Sequence, residues 1–135
     1  MRIIALLATY NEERFIVPCL EHFFRHGVEV YLIDNESKDR TVSLARQYLG
    51  RGLVGLETLP RGGVYEWEPI LERKEQLADE LDADWFMHAD ADEIRLPPPS
   101  FRTLAQAFTA VDRQGFNAVN FLEFTFVPTR QRPNH

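Results

Sequence analysis

Ile3-Ile4-Ala5-Leu6-Leu7-Ala8 is the stretch that decides the fold. Its residues are apolar without a break, so they lack the alternation of a strand with one wet face. The run stops at Thr9-Tyr10-Asn11-Glu12, too soon for an export signal or a membrane span. A strand that is apolar on both sides fits the centre of a parallel sheet covered by helices on each face. The remainder of the chain must then supply those helices in alternation with further strands.

It does so. Residues 15–25 carry Ile16, Cys19, Leu20, Phe23 and Phe24 at spacings of three and four, an amphipathic helix with Pro18 in its first turn and Gly27 closing it. Residues 28–33 form a second apolar strand, which ends in Asp34 and the turn-rich Asn35-Glu36-Ser37-Lys38-Asp39. Asp39 is placed to cap a helix over 40–49, stopped by Gly50 and Gly52. A short strand over 53–56 leads into Pro60-Arg61-Gly62-Gly63, a loop able to change shape around a ligand. A helix over 68–81 turns Ile70, Leu71, Leu77 and Leu81 inward and Arg73 and Lys74 elsewhere. After a fourth strand beginning at Trp85, Pro97-Pro98-Pro99 forces an extended connector. A helix over 101–114 ends at Gly115, and the apolar, aromatic residues 117–127 read as a fifth strand. The alternation predicts an α/β fold, a three-layer sandwich around a mostly parallel, Rossmann-like sheet. Residues 1–127 form one domain and 128–135 a frayed tail.

Composition narrows the function. A chain of 135 residues supports one core, and 44% hydrophobic with 27% charged residues is ordinary for a globular protein. A net charge of −6 and a pI near 5.2 argue against a nucleic-acid partner, and a small anionic ligand would need a metal bridge. Cys19 is the single cysteine, which excludes an internal disulfide and suits a reducing compartment; a cytoplasmic location is expected, with no transmembrane segment and membrane-surface attachment left open.

The chemistry gathers at Trp85-Phe86-Met87-His88-Ala89-Asp90-Ala91-Asp92-Glu93, where an apolar strand ends in closely spaced carboxylates. Hard oxygen ligands at such spacing suit Mg or Mn beside a phosphate, while an acidic turn facing solvent would have the same composition. In an open α/β sheet, ligands bind beyond the carboxyl ends of the strands. The polar clusters at 9–13, 34–39 and 90–93 all follow predicted strand ends and should share one edge, which favours the site over the solvated turn. His88 faces either the cleft or the core, a hydrogen-bonded core histidine being the preferred reading. Tyr65 and Trp67 either stack on a ligand or staple their helix to the core.

Taken in order, Thr9-Tyr10-Asn11-Glu12-Glu13, Ile33-Asp34-Asn35-Glu36-Ser37-Lys38-Asp39-Arg40-Thr41 and Asp90-Ala91-Asp92-Glu93 resemble the motifs of family-2-type nucleotide-sugar glycosyltransferases of the GT-A fold. The resemblance covers residues 3–95. It implies that Asp34 accepts a hydrogen bond from the nucleobase, that Thr9, Tyr10, Asn11 and Glu12 line the base and ribose pocket, and that Asp92 holds a divalent metal (Mn or Mg) on the diphosphate. Asp90 would contact ribose or metal-bound water, and so counts as both a nucleotide and a metal residue. Because a carboxylate only accepts, Asp34 would select a base edge offering an N–H, such as uracil or guanine; a helix-capping turn acid is its structural alternative. Asn35 stands where the family often has a second acid, so ribose recognition there is open. Arg73 or Lys74 matches the region where members place a cation near the diphosphate, and a solvated helix face accounts for them equally well.

The function these readings support is metal-dependent transfer of a sugar from a nucleoside-diphosphate donor to an unknown acceptor. A non-catalytic nucleotide-sugar binding module is the alternative, and a signalling receiver domain a more distant one. The catalytic residue is unknown. Glu123 is the late carboxylate in a predicted strand, although its apolar neighbours suggest a surface position at a sheet edge. Few residues follow Asp92, so the chain is expected to be the nucleotide-binding half of a larger catalytic domain, with weak or absent transfer activity alone and self-association through its C-terminal strand.

Overall fold

The computed structural model describes residues 1–63 and 66–125. Four strands, β1 (Ile3–Thr9), β2 (Glu29–Asp34), β3 (Leu53–Thr58) and β4 (Trp85–Asp90), form a wholly parallel sheet in the order β3-β2-β1-β4. The helices are α1 (Ile16–Arg25), α2 (Thr41–Ala45) continued by a 3-10 turn (Arg46–Tyr48), α3 (Trp67–Glu80) and α4 (Leu104–Asp112).

The opening strand is central, as its two-faced apolarity requires. Ile3, Ala5 and Leu7 point to one face, where they pack with Ile16, Leu20 and Phe23 of α1, Ala45 of α2 and Leu104 and Phe108 of α4. Ile4 and Leu6 point to the other, where Ile33 of β2 and Leu77 of α3 meet them. The period-two alternation of side chains thus divides one apolar run between two cores, giving the three-layer α/β sandwich. A receiver domain would seat β3 beside β1, whereas here β2 lies between them, so that reading is set aside.

Local differences from expectation have physical causes. Helix α4 starts at Leu104 rather than 101 because Thr103 caps it, its Oγ1 accepting from Gln106 N at 3.2 Å while Gln106 Oε1 accepts from Arg102 N at 2.9 Å. The helix expected over 40–49 is one short α-turn that tightens into a 3-10 turn before Gly50. The larger correction concerns the fifth strand. Residues 117–125 form no strand, and among the described residues β4 is the sheet's edge. An apolar run records a preference for burial rather than for strand pairing, and here Phe121 packs against the core while Leu122 and Phe124 lie 88% and 76% exposed. The expectations for Tyr65, for residues 126–127 and for the tail 128–135 fall outside the described residues.

Candidate functional site

The registry of the sheet sets the site. Thr9 is the partner of Asp34 across β1 and β2, and Ala8 is the partner of Asp90 across β1 and β4, so three strands end level with one another. Successive strands move outward from β1 to β3 and then return to its other side at β4. That reversal leaves a crevice between the ends of β1 and β4. A cleft of about 180 Å³ opens there, lined by Thr9, Tyr10, Glu12, Asn35, Asp90 and Asp92, with Trp67 at the start of α3.

The loops following β1 and β2 are laced together by side chains. The backbone N–H groups of Asn11, Glu12 and Glu13 donate in turn to Ser37 Oγ (2.9 Å), Thr41 Oγ1 (2.7 Å) and Asp39 Oδ2 (3.0 Å). Asn11 Oδ1 accepts in return from Lys38 N at 2.7 Å. Asn11 has φ 57°, a left-handed conformation that asparagine tolerates, and this turns the β1 loop back toward the second loop. Asp39 also accepts from the backbone and hydroxyl of Thr41, so it serves as a loop and helix-start anchor.

Asp34 is not a loop acid. It closes β2, is 2% exposed, and its Oδ2 accepts from Ser37 N at 2.9 Å while Thr9 Oγ1 lies 3.4 Å from Oδ1. Asn35 is also buried, its Nδ2 donating to Leu59 O at 3.1 Å. Tyr10, by contrast, is exposed at the rim, with the guanidinium of Arg61 stacked 3.7 Å from its ring centroid.

The two candidate cations of α3 part company. Arg73 pairs with Glu57 at 2.6 Å and with Glu80 at 2.8 Å and does not line the cleft. Lys74 is buried, and Ile70, Lys74 and Leu77 share the inward stripe of the helix at spacings of four and three, the signal by which its burial is legible in the sequence. Its Nζ lies 3.0 Å from His88 Nδ1 and 3.4 Å from Ala89 O, behind the motif strand. Burial pulls its pKa down to about 8, against the opposing pull of Asp90 and Glu93. His88 is an exposed residue rather than a core one, with its Nε2 3.4 Å from Asp90 Oδ2 and its ring 5.8 Å from that of Trp67.

The acids make the cleft strongly negative. The Glu12 carboxyl is held above its usual range by partial burial and then by Asp92, Asp39 and Asp90. Among the described residues no three His, Cys, Asp or Glu side chains converge as a ready-made metal cage. The oxygen donors of Asp90 and Asp92 nevertheless fit a hard cation of the kind that takes one or two protein carboxylates and completes its shell with phosphate and water. Glu123 stands apart: it lines a larger cleft of about 690 Å³ between β4, α4 and residues 116–123, with Trp85 and Phe108 in its wall. That cleft lacks Asp90 and Asp92, so size alone does not locate the chemistry.

Residues 5–62 match the family model described as Glycosyl transferase family 2. No curated protein matches the chain in sequence at a significant level. Among solved structures, S. aureus TarS residues 1–349 superpose with a TM-score of 0.65 at 19% identity, covering 91% of this chain and 39% of that one. The same fragment in complex with UDP-GlcNAc gives a TM-score of 0.63 at 18% identity, covering 91% and 37%. The longer TarS structure gives 0.63 at 20% identity, covering 85% and 20%. The chain therefore spans less than two fifths of the TarS chains it resembles. The superpositions show that the chain shares the fold of these TarS structures, and the family-2 match lies on its first 62 residues. No helix among the described residues is long and apolar enough to cross a membrane.

Proposed function

We propose that the chain is the donor-binding part of a glycosyltransferase that moves a sugar from a nucleoside diphosphate to an acceptor with the help of Mn or Mg. The observation that carries this reading is the meeting of Thr9, Tyr10, Glu12, Asn35, Asp90 and Asp92 around one crevice at the sheet's switch point. Thr9 to Glu12 line the base and ribose pocket. Asp34, with lone pairs beyond those used by Ser37 and Thr9, offers an acceptor to a base N–H.

A diphosphate carrying about two negative charges meets Asp90 and Asp92 at the other end of the cleft, and this repulsion is what calls for a divalent ion. Asp92 and Asp90 hold the cation, which when bound neutralises charge on the leaving diphosphate. Lys74, buried behind Asp90, adds fixed positive charge; Arg73 is spent on Glu57 and Glu80. The single buried cysteine, Cys19, is in keeping with a cytoplasmic setting.

Calorimetric titration of UDP, GDP and ADP with Mg, Mn or chelator tests the reading. Binding that strengthens with either cation and prefers UDP or GDP is expected, and equal affinity in all three conditions would sink it. Hydrolysis of the corresponding sugar nucleotides with Mn then separates an enzyme from a binding module.

A further inference from the structure

His88 joins a buried cation to an acid at the cleft. Lys74 Nζ approaches its Nδ1 at 3.0 Å on one side, and Asp90 Oδ2 lies 3.4 Å from its Nε2 on the other. An ammonium has three donors and no acceptor, so the imidazole nitrogen facing it must present a lone pair. A neutral ring that accepts at Nδ1 carries its proton on Nε2, which is the nitrogen facing Asp90. The contact to Ala89 O, also from Nζ, fixes the ammonium against the backbone of the same strand. The ring of Trp67 flanks the imidazole at 5.8 Å between centroids.

We propose that His88 is a positioning residue for Asp90, held as its Nε2–H tautomer by Lys74 and so fixing which oxygen of Asp90 faces the cleft. With Oδ2 on the imidazole side, 3.4 Å from Nε2, Oδ1 is left to meet a cation or ribose hydroxyl. The same tautomer removes the Nε2 lone pair, so His88 itself is not a metal ligand. Outer groups that orient a ligating carboxylate in this way commonly govern metal affinity by about 10–100-fold. The inference rests on the donor-site reading for its consequence, but not for the Lys74–His88–Asp90 contacts themselves.

Two measurements on the full chain test it separately. The first is long-range ¹H–¹⁵N correlation of the imidazoles, with His88→Gln used to assign the His88 signals. The Nε2–H pattern is expected in the wild type, with conversion to a tautomer mixture in Lys74→Met; an Nδ1–H pattern in the wild type, or no change in Lys74→Met, overturns the proposal. The second is Mn affinity with UDP present. His88→Phe should weaken it by about tenfold, while His88→Gln, whose amide N–H₂ stands near the place of Nε2–H, should restore it to within about threefold by keeping a donor toward Asp90. Wild-type affinity in His88→Phe overturns the positioning role. If the wild type binds no nucleoside diphosphate under any condition, the donor-site reading fails, and the tautomer measurement still decides the Lys74–His88 arrangement.

Discussion

Thr9 and Asp34 are registry partners at the ends of adjacent parallel strands, and their side chains meet with Thr9 Oγ1 3.4 Å from Asp34 Oδ1. The acid that the family resemblance assigns to the nucleobase is therefore also part of the joint between the first two loops. Asp34→Ala should lower both stability and nucleotide affinity, because Ser37 N–H loses its acceptor along with the Thr9 contact. Leaving such a partly buried donor unmade costs about 1–3 kcal/mol. Urea denaturation should show the midpoint falling at unchanged slope, and nucleotide titration below the transition should show weaker binding. A variant of full stability would contradict the joint, and one of full affinity would contradict the base contact.

Glu12 should be a net cost to the ligand-free fold at neutral pH. Its carboxyl titrates above the ordinary 4.5 because of burial and then Asp92, Asp39 and Asp90. A raised folded pKa gives stability that is complete below the unfolded value and is lost as pH rises through the folded one. Glu12→Gln is accordingly expected to raise the melting temperature at pH 7, with the gain shrinking as pH falls toward 4.5. Saturating Mn with UDP should also shrink it, since a bound cation relieves the same repulsion.

Lys74 gives the opposite sign in the alkaline range. Its folded pKa of about 8 lies below the ordinary 10.5, so between those values the unfolded chain binds the extra proton and folding gains stability as pH rises. Relative to Lys74→Met, the wild type should gain up to about 3 kcal/mol between pH 7 and pH 10.5. Denaturant curves for both proteins across that range check it; parallel pH profiles would show that Lys74 is not desolvated.

The exposed apolar residues of the segment after α4 should drive self-association without supporting the fold. Leu122 and Phe124 are 88% and 76% exposed. Leu122→Lys with Phe124→Lys is expected to leave stability within about 0.5 kcal/mol of wild type. Sedimentation velocity should then show less oligomer at equal concentration. A large loss of stability would mean that these side chains are buried against the domain in solution.

The sequence by itself determined the sandwich, the parallel sheet and which loops share an edge. Those features follow from local pattern: six apolar residues in a row for β1, the three-and-four spacing of α1, and polar clusters following each strand. Motif order did the rest, because strands that alternate with helices bring Thr9, Asp34 and Asp90 to one end of the sheet wherever their neighbours lie. What sequence did not determine was the fate of individual side chains, which depends on partners distant along the chain. Arg73 and Lys74 are adjacent, yet one reaches outward to Glu57 and Glu80 while the other enters the core toward His88, a division decided by a rotation of about 100° on the helix and by what β3 and β4 present there. Asp34 reads as a loop acid until the registry of β1 with β2 buries it. Residues 117–125 read as a strand because aromatic composition reports burial, whereas strand formation also needs backbone donors and acceptors on a neighbouring edge, and only the tertiary arrangement decides whether a segment meets them.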